Sequence, residues 1–115
     1  MRELTTGDDF VRMSALTDAD SGDAWNVSTA TEISATVISS DYKTQYCATV
    51  TLDSNDPGSS WSNGIVVISI PAATTAEIAS HVTGKTTGIV SVQVEIDGEK
   101  TTVRDSVYLI EGHIE

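Results

Sequence analysis

Aspartates, serines and the backbone of a few glycine-bearing turns supply most of the groups in this sequence that could hold a cation, attack a carbonyl or cradle a phosphate. The run Asp18-Ala19-Asp20-Ser21-Gly22-Asp23 has the carboxylate density of a calcium loop. An EF-hand needs Asp or Asn at its fifth position, Gly at its sixth and a bidentate Glu at its twelfth. Counted from Asp18, those places hold Gly22, Asp23 and Thr29, so the run reads as an Asx-rich turn between strands. Asp53-Ser54-Asn55-Asp56-Pro57-Gly58 reads the same way, with Pro57-Gly58 at the centre of a type II turn. Gly84-Lys85-Thr86 ends like a phosphate loop, but Ala79 stands where that motif needs its first glycine.

Acid–base and nucleophilic sets are equally sparse. His81 and His113 are far apart and neither belongs to a ligand-spaced cluster. Cys47 is the lone cysteine; it has no elbow motif around it and suits the role of a small apolar filler. No Gly-x-Ser-x-Gly occurs among the serines. The expectation is a protein that is not an enzyme and carries no cofactor or metal. Asn26-Val27-Ser28 fits a glycosylation acceptor, which matters only in a secreted chain.

Recognition is the chemistry that remains. Trp25 and Trp61 lie beside turn-rich polar segments, where large aromatics anchor partners or stack on sugars. The competing role is to lid a core that has only one Phe. Trp61, Trp25 and Tyr42 are the expected partner-binding residues, and a sugar-binding module centred on Trp61 is the alternative to a protein-binding one.

Charge narrows the partners. The chain has 17 acidic and 6 basic residues in 115, a net charge of −11 and a pI near 4.2. Phosphate binding depends on Lys and Arg displacing counterions, and six scattered cations cannot build a basic stripe. Nucleic acid and anionic membrane surfaces are therefore excluded as expected partners. The acid keeps the chain soluble at high local concentration, or makes a docking face for a basic protein surface. No stretch approaches the roughly 18 apolar residues of a membrane span, and Met1-Arg2-Glu3-Leu4 lacks a signal peptide's apolar core.

The elements that must position these side chains are strands. Thr, Ser, Val and Ile dominate, and β-branched residues fit a pleated surface. Val90, Val92, Val94 and Ile96 alternate with Ser91, Gln93 and Glu95, then Asp97-Gly98 leads into Glu99-Lys100-Thr101-Thr102-Val103-Arg104. Such alternation running into Asp-Gly predicts a hairpin with a type I′ turn, whose central residues both need φ > 0. Its register sets Ile96 opposite Glu99, Glu95 opposite Lys100, Val94 opposite Thr101 and Val92 opposite Val103. Continued, it puts Asp105 on the core face opposite Val90, where a bulge is expected. It also gathers Lys100 and Arg104 on the wet face, joined by Lys85 if that residue lies near.

Shorter segments complete the pattern. Leu4-Thr5-Thr6 suits an edge strand, and Phe10 to Leu16 alternates loosely. Ile33, Ala35 and Val37 face inward in the next strand, and Tyr46, Ala48, Val50 and Leu52 do so in the one after. Ile65 to Ile70 is nearly all apolar, as in a strand covered on both faces. A short helix is expected over residues 74–82, capped by Thr74 or Thr75, with Ile78 and Val82 sealing one end. The whole chain, 1–115, is expected to be one all-β domain. Its expected form is an immunoglobulin-like antiparallel β-sandwich of about seven strands.

The order of landmarks carries a resemblance. Leu4…Gly7-Asp8-Asp9, the turn through Gly22, Ile33-Ser-Ala-Thr-Val37, Gly64-Ile-Val-Val-Ile-Ser-Ile70 and Thr75-Ala76-Glu77-Ile78 come first. Gly84, Thr87-Gly88, Val90 through Gly98 and Val107-Tyr-Leu-Ile-Glu-Gly112 follow. This resembles the immunoglobulin-like module of tailed-bacteriophage virion proteins, typified by the N-terminal domain of the baseplate upper protein. The resemblance implies a structural subunit of the virion, assembled in the host cytoplasm. It would join other virion proteins as a homo-oligomer within a symmetric particle. In the typical tail protein further domains follow and hold the fibre, whereas this sequence ends at Glu115. A tail, baseplate or neck adaptor or accessory protein is the expectation, and a capsid decoration protein of the same fold is the alternative.

Overall fold

The computed structural model describes residues 2–18 and 20–112, and His113 lies outside them. Among these described residues, seven strands form two sheets. The hairpin is the spine of the larger one. β6 (Lys85–Ile96) and β7 (Glu99–Ile110) pair in the expected register, Ile96 opposite Glu99 and Val92 opposite Val103. At the turn Asp97 has φ 52° and Gly98 φ 81°, the left-handed pair that Asp-Gly is suited to supply.

β1 (Arg2–Thr5), β3 (Glu32–Ser39) and β4 (Val50–Thr51) complete the larger sheet in the order β1-β7-β6-β3-β4. β2 (Phe10–Ala15) and β5 (Ile65–Ile70) form a two-stranded antiparallel sheet. Leu4, Ile33, Val37, Val90, Val107 and Leu109 of the larger sheet meet Phe10, Val66, Ile68 and Ile70 of the smaller in one buried core. The molecule is an all-β, sandwich-like fold of seven strands and a short helix.

Five details differ from the sequence expectations, each for a local reason. First, β1 runs parallel to β7, Leu4 beside Leu109. Both strands run toward the corner where Thr6 N–H donates to Ile110 O (2.9 Å) and Gly112 N–H donates to Thr6 Oγ1 (2.9 Å). From that corner the chain turns directly into β2 of the other sheet.

Second, the helix starts earlier. α1 (Ala72–Thr75) follows Pro71 and passes into a 3₁₀ turn, Ala76–Ser80. Pro71 needs no N–H partner at a helix start, and the Asp9 carboxylate accepts the Ala72 N–H at 2.7 Å. Thr75 is therefore not a cap. It is fully buried, and its Oγ1 accepts the Gly7 N–H (3.1 Å) and donates to Asp8 O (2.7 Å), tying the β1–β2 turn to the helix. Ile78 and Val82 are buried as expected.

Third, the strand expected over Tyr46 to Leu52 shrinks to β4. The register slips by two residues between the Ile38–Gln45 bridge and the Ala35–Val50 pair, an insertion of the bulge type. Alternation inverts across the slip: Cys47 turns into the core and Ala48 is exposed. Thr36 Oγ1 holds the kink by donating to Cys47 O at 2.9 Å.

Fourth, no bulge forms at Asp105. The ladder continues through Val90–Asp105 because Arg12 of β2 points inward and meets the carboxylate, Nη2 to Oδ2 at 2.7 Å. Fifth, Lys85 does not join Lys100. The two stand at opposite ends of the hairpin, roughly 30 Å apart along the strands. Lys85 sits over the Tyr108 ring and faces Glu3, while Lys100 faces Glu95.

Candidate functional site

The acidic turns are built by their own carboxylates. Asp18 Oδ1 accepts the Asp20 N–H at 2.8 Å, and Asp53 Oδ1 accepts the Asn55 N–H at 2.8 Å, both Asx turns. The Ser59 N–H bonds to Asp56 O at 3.0 Å and closes the turn through Pro57-Gly58. Among the described residues, no group of three or more His, Cys, Asp or Glu side chains is placed to hold a metal ion.

Cys47 and His81 do approach the same shallow surface, beside Glu77 and Tyr46. The His81 ring stacks on Tyr46 at 4.8 Å between centroids. Burial pushes the Cys47 thiol pKa up, opposite to the shift that activates a nucleophile.

Trp25, Trp61 and Tyr42 do not form one site. Trp61 opens a 3₁₀ turn (Trp61–Asn63), and Trp61 O accepts the Val27 N–H at 2.8 Å. Both tryptophans are half-buried and pack against the core from the loops that close one end of the sandwich. Gly64 makes that packing possible. It has φ 75°, and a Cβ there would stand 2.5 Å from Leu16 O and 2.8 Å from Trp25 O.

Trp61 borders an open cleft of about 810 Å³ lined by Ser28, Thr31, Thr51 and Ser60. Its indole N–H and the Ser59 hydroxyl are shielded from solvent and have no hydrogen-bond partner among the described residues. A ring lodged this way is a lid first, which weighs against a sugar platform. Tyr42 is 61% exposed at φ 65°, on the outer face of the larger sheet, where the Arg104 guanidinium lies 4.9 Å from its ring centre.

The surface least satisfied by the fold lies on β2, where the sequence reading placed nothing. Phe10, Arg12 and Ser14 face inward, so Val11 (61% exposed) and Met13 (60%) face solvent with Ala15. Across the pair, Ser69, Val67 and Ile65 share that outer face. Val67 is buried there, and a Cβ added at Gly58 would stand 3.0 Å from Met13 Sδ and 3.7 Å from Val67 Cγ2. Among the described residues, no further strand lies beyond β2. The signal that would have found this face is Asp105: a carboxylate opposite Val90 calls for an inward cation, and an inward Arg12 turns Val11 and Met13 outward. No protein-family model matches the chain, and no curated protein matches it in sequence.

Proposed function

We propose that this chain is a non-enzymatic structural subunit of a tailed-phage virion: a tail, baseplate or neck adaptor or accessory protein that acts by protein–protein assembly. The observation that carries the assembly half is β2, an open strand edge with exposed Val11 and Met13, since unpaired edges and apolar faces are what β-proteins use to add a neighbour. The landmark order from Leu4 to Gly112 supports the virion half, because the resemblance runs through nearly every strand. Repeated copies would be arranged by the particle's symmetry, with other virion proteins as partners. The net charge of −11 disfavours nucleic acid and anionic membranes.

The test is mass spectrometry and cryo-electron imaging of purified virions carrying a labelled copy. Label at the tail, neck or baseplate is the expected result. Label over the head would move the protein to capsid decoration. Its absence from mature particles would overturn the proposal.

A further inference from the structure

We infer that the β2 edge accepts one extended segment of a partner protein, cationic at both ends and apolar at alternate positions, which adds a third strand to the β2–β5 sheet. The inference deepens the assembly reading above and rests on it for the kind of partner.

The direction of the backbone groups follows from the hydrogen bonds on the far side of the sheet. Ser60 and Ile65 exchange N–H···O bonds of 2.9 Å each, so the polar groups of Ile65 point away from β2. Ala15 is opposite Ile65, and in an antiparallel pair its own groups must then point away from β5. The Leu16 N–H, bonded to Gly64 O at 2.7 Å, gives the same phase. Val11, Met13 and Ala15 therefore turn their N–H and C=O groups toward the open edge. The same residues turn their side chains to the exposed outer face. An incoming strand would gain ladder hydrogen bonds and a packing surface together.

The edges of the larger sheet are guarded. β1 carries exposed Arg2 and Glu3, and β4 is only two residues long; charge and shortness both discourage pairing. β2 has neither protection, because its one cation, Arg12, is turned inward onto Asp105.

The flanks choose the occupant. Exposed Asp8 and Asp9 precede β2, and exposed Asp18, Asp20 and Asp23 follow it, separated by about 20 Å of strand. None of the five is in an ion pair among the described residues. A second copy pairing edge to edge would lay acid on acid whether it ran parallel or antiparallel, which is destabilising. A segment with Lys or Arg at both ends would instead neutralise each flank, with alternate apolar residues set against Val11 and Met13.

The probe is a fluorescent synthetic peptide of alternating Val and Thr with Lys at both ends, titrated into the full chain and followed by anisotropy. It is expected to bind about tenfold more tightly than the same peptide ended in Glu, the gap closing as salt rises. Met13→Pro removes an edge-facing N–H while leaving the β5 ladder bonds, and should abolish binding. Val11→Lys leaves the backbone intact and should also abolish it, which covers the case in which the proline variant misfolds. Equal binding of Lys- and Glu-ended peptides, or binding untouched by Val11→Lys, overturns the inference. Self-association of the wild-type chain that Val11→Lys abolishes would also overturn it, in favour of a second copy. A chain found in virions whose edge binds no peptide fails this inference alone. Peptide binding by a chain missing from virions fails the virion reading and leaves the edge.

Discussion

Removing Asp105 is expected to cost more stability than removing Asp105 and Arg12 together. Arg12 reaches across the sandwich with its side chain only 20% exposed, and its Nη2 lies 2.7 Å from Asp105 Oδ2. Its Nε is shielded and has no hydrogen-bond partner among the described residues, so the carboxylate carries most of the compensation for desolvating the guanidinium. Two unit charges near 4 Å attract by about 4 kcal/mol at an effective dielectric of 20. Desolvation, and the 47% exposure of Asp105, offset much of that.

A net coupling of about 1–2 kcal/mol is the result expected for such a half-exposed pair. Asp105→Ala strands a mostly buried cation and should lose about 2 kcal/mol. Arg12→Met leaves a carboxylate that water can reach and should lose about 1 kcal/mol. Arg12→Met with Asp105→Ala leaves neither charge without its partner and should fall within about 1 kcal/mol of the wild type. Urea unfolding read by Trp25 and Trp61 fluorescence measures the cycle. With a slope of roughly 1.5 kcal/mol per molar, Asp105→Ala should lower the midpoint by more than about 1 M. If the single losses simply add in the double variant, or Asp105→Ala is neutral, the pair is a surface contact and the account of the unbroken ladder is wrong.

Thr75→Val keeps the volume but leaves the Gly7 N–H and Asp8 C=O unpaired beside a fully buried side chain. It should cost about 2 kcal/mol and lower Tm by about 8 °C in a thermal melt. Gly64→Ala drives a Cβ to 2.5 Å from Leu16 O at a left-handed φ; a loss of more than about 2 kcal/mol is expected, with Trp25 and Trp61 fluorescence shifted in whatever folded fraction remains. Cys47, buried and with its pKa raised, should resist iodoacetamide near pH 8 in the folded chain and react readily in denaturant. The Ser39 hydroxyl and then the Lys43 N–H, both donating to Asp41, hold that carboxyl below its ordinary range. Its folded value is depressed, so its contribution to the turn is present above the unfolded pKa and lost as pH falls through the folded one. An NMR titration of Asp41 should show the low midpoint, and Ser39→Ala should raise it.

Local pattern determined the hairpin completely. Strict alternation and a two-residue Asp-Gly turn leave one register, and a slip of a single residue would have put every valine of β6 in water. The same local logic settled the Asx turns at Asp18 and Asp53 and the type of nearly every strand. Three features needed contacts from elsewhere in the fold. Thr75 looked like a cap from its neighbours alone, but the β1–β2 turn that it satisfies is more than sixty residues away. Cys47 and Ala48 exchanged faces because the path beside β3 had two residues to spare, which no alternation in the segment itself records.

Arg12 is the clearest case. Its strand alternates in either sense, and hydrophobicity alone would bury Val11 and Met13. The charge on Asp105, brought opposite β2 only when the sheets pack, selects the other face. Sequence therefore determined a β-protein, its central hairpin and its acidity. Tertiary packing decided that an apolar strand edge stays open between two acidic flanks, because burying one ion pair obliges the strand's apolar side chains to face outward.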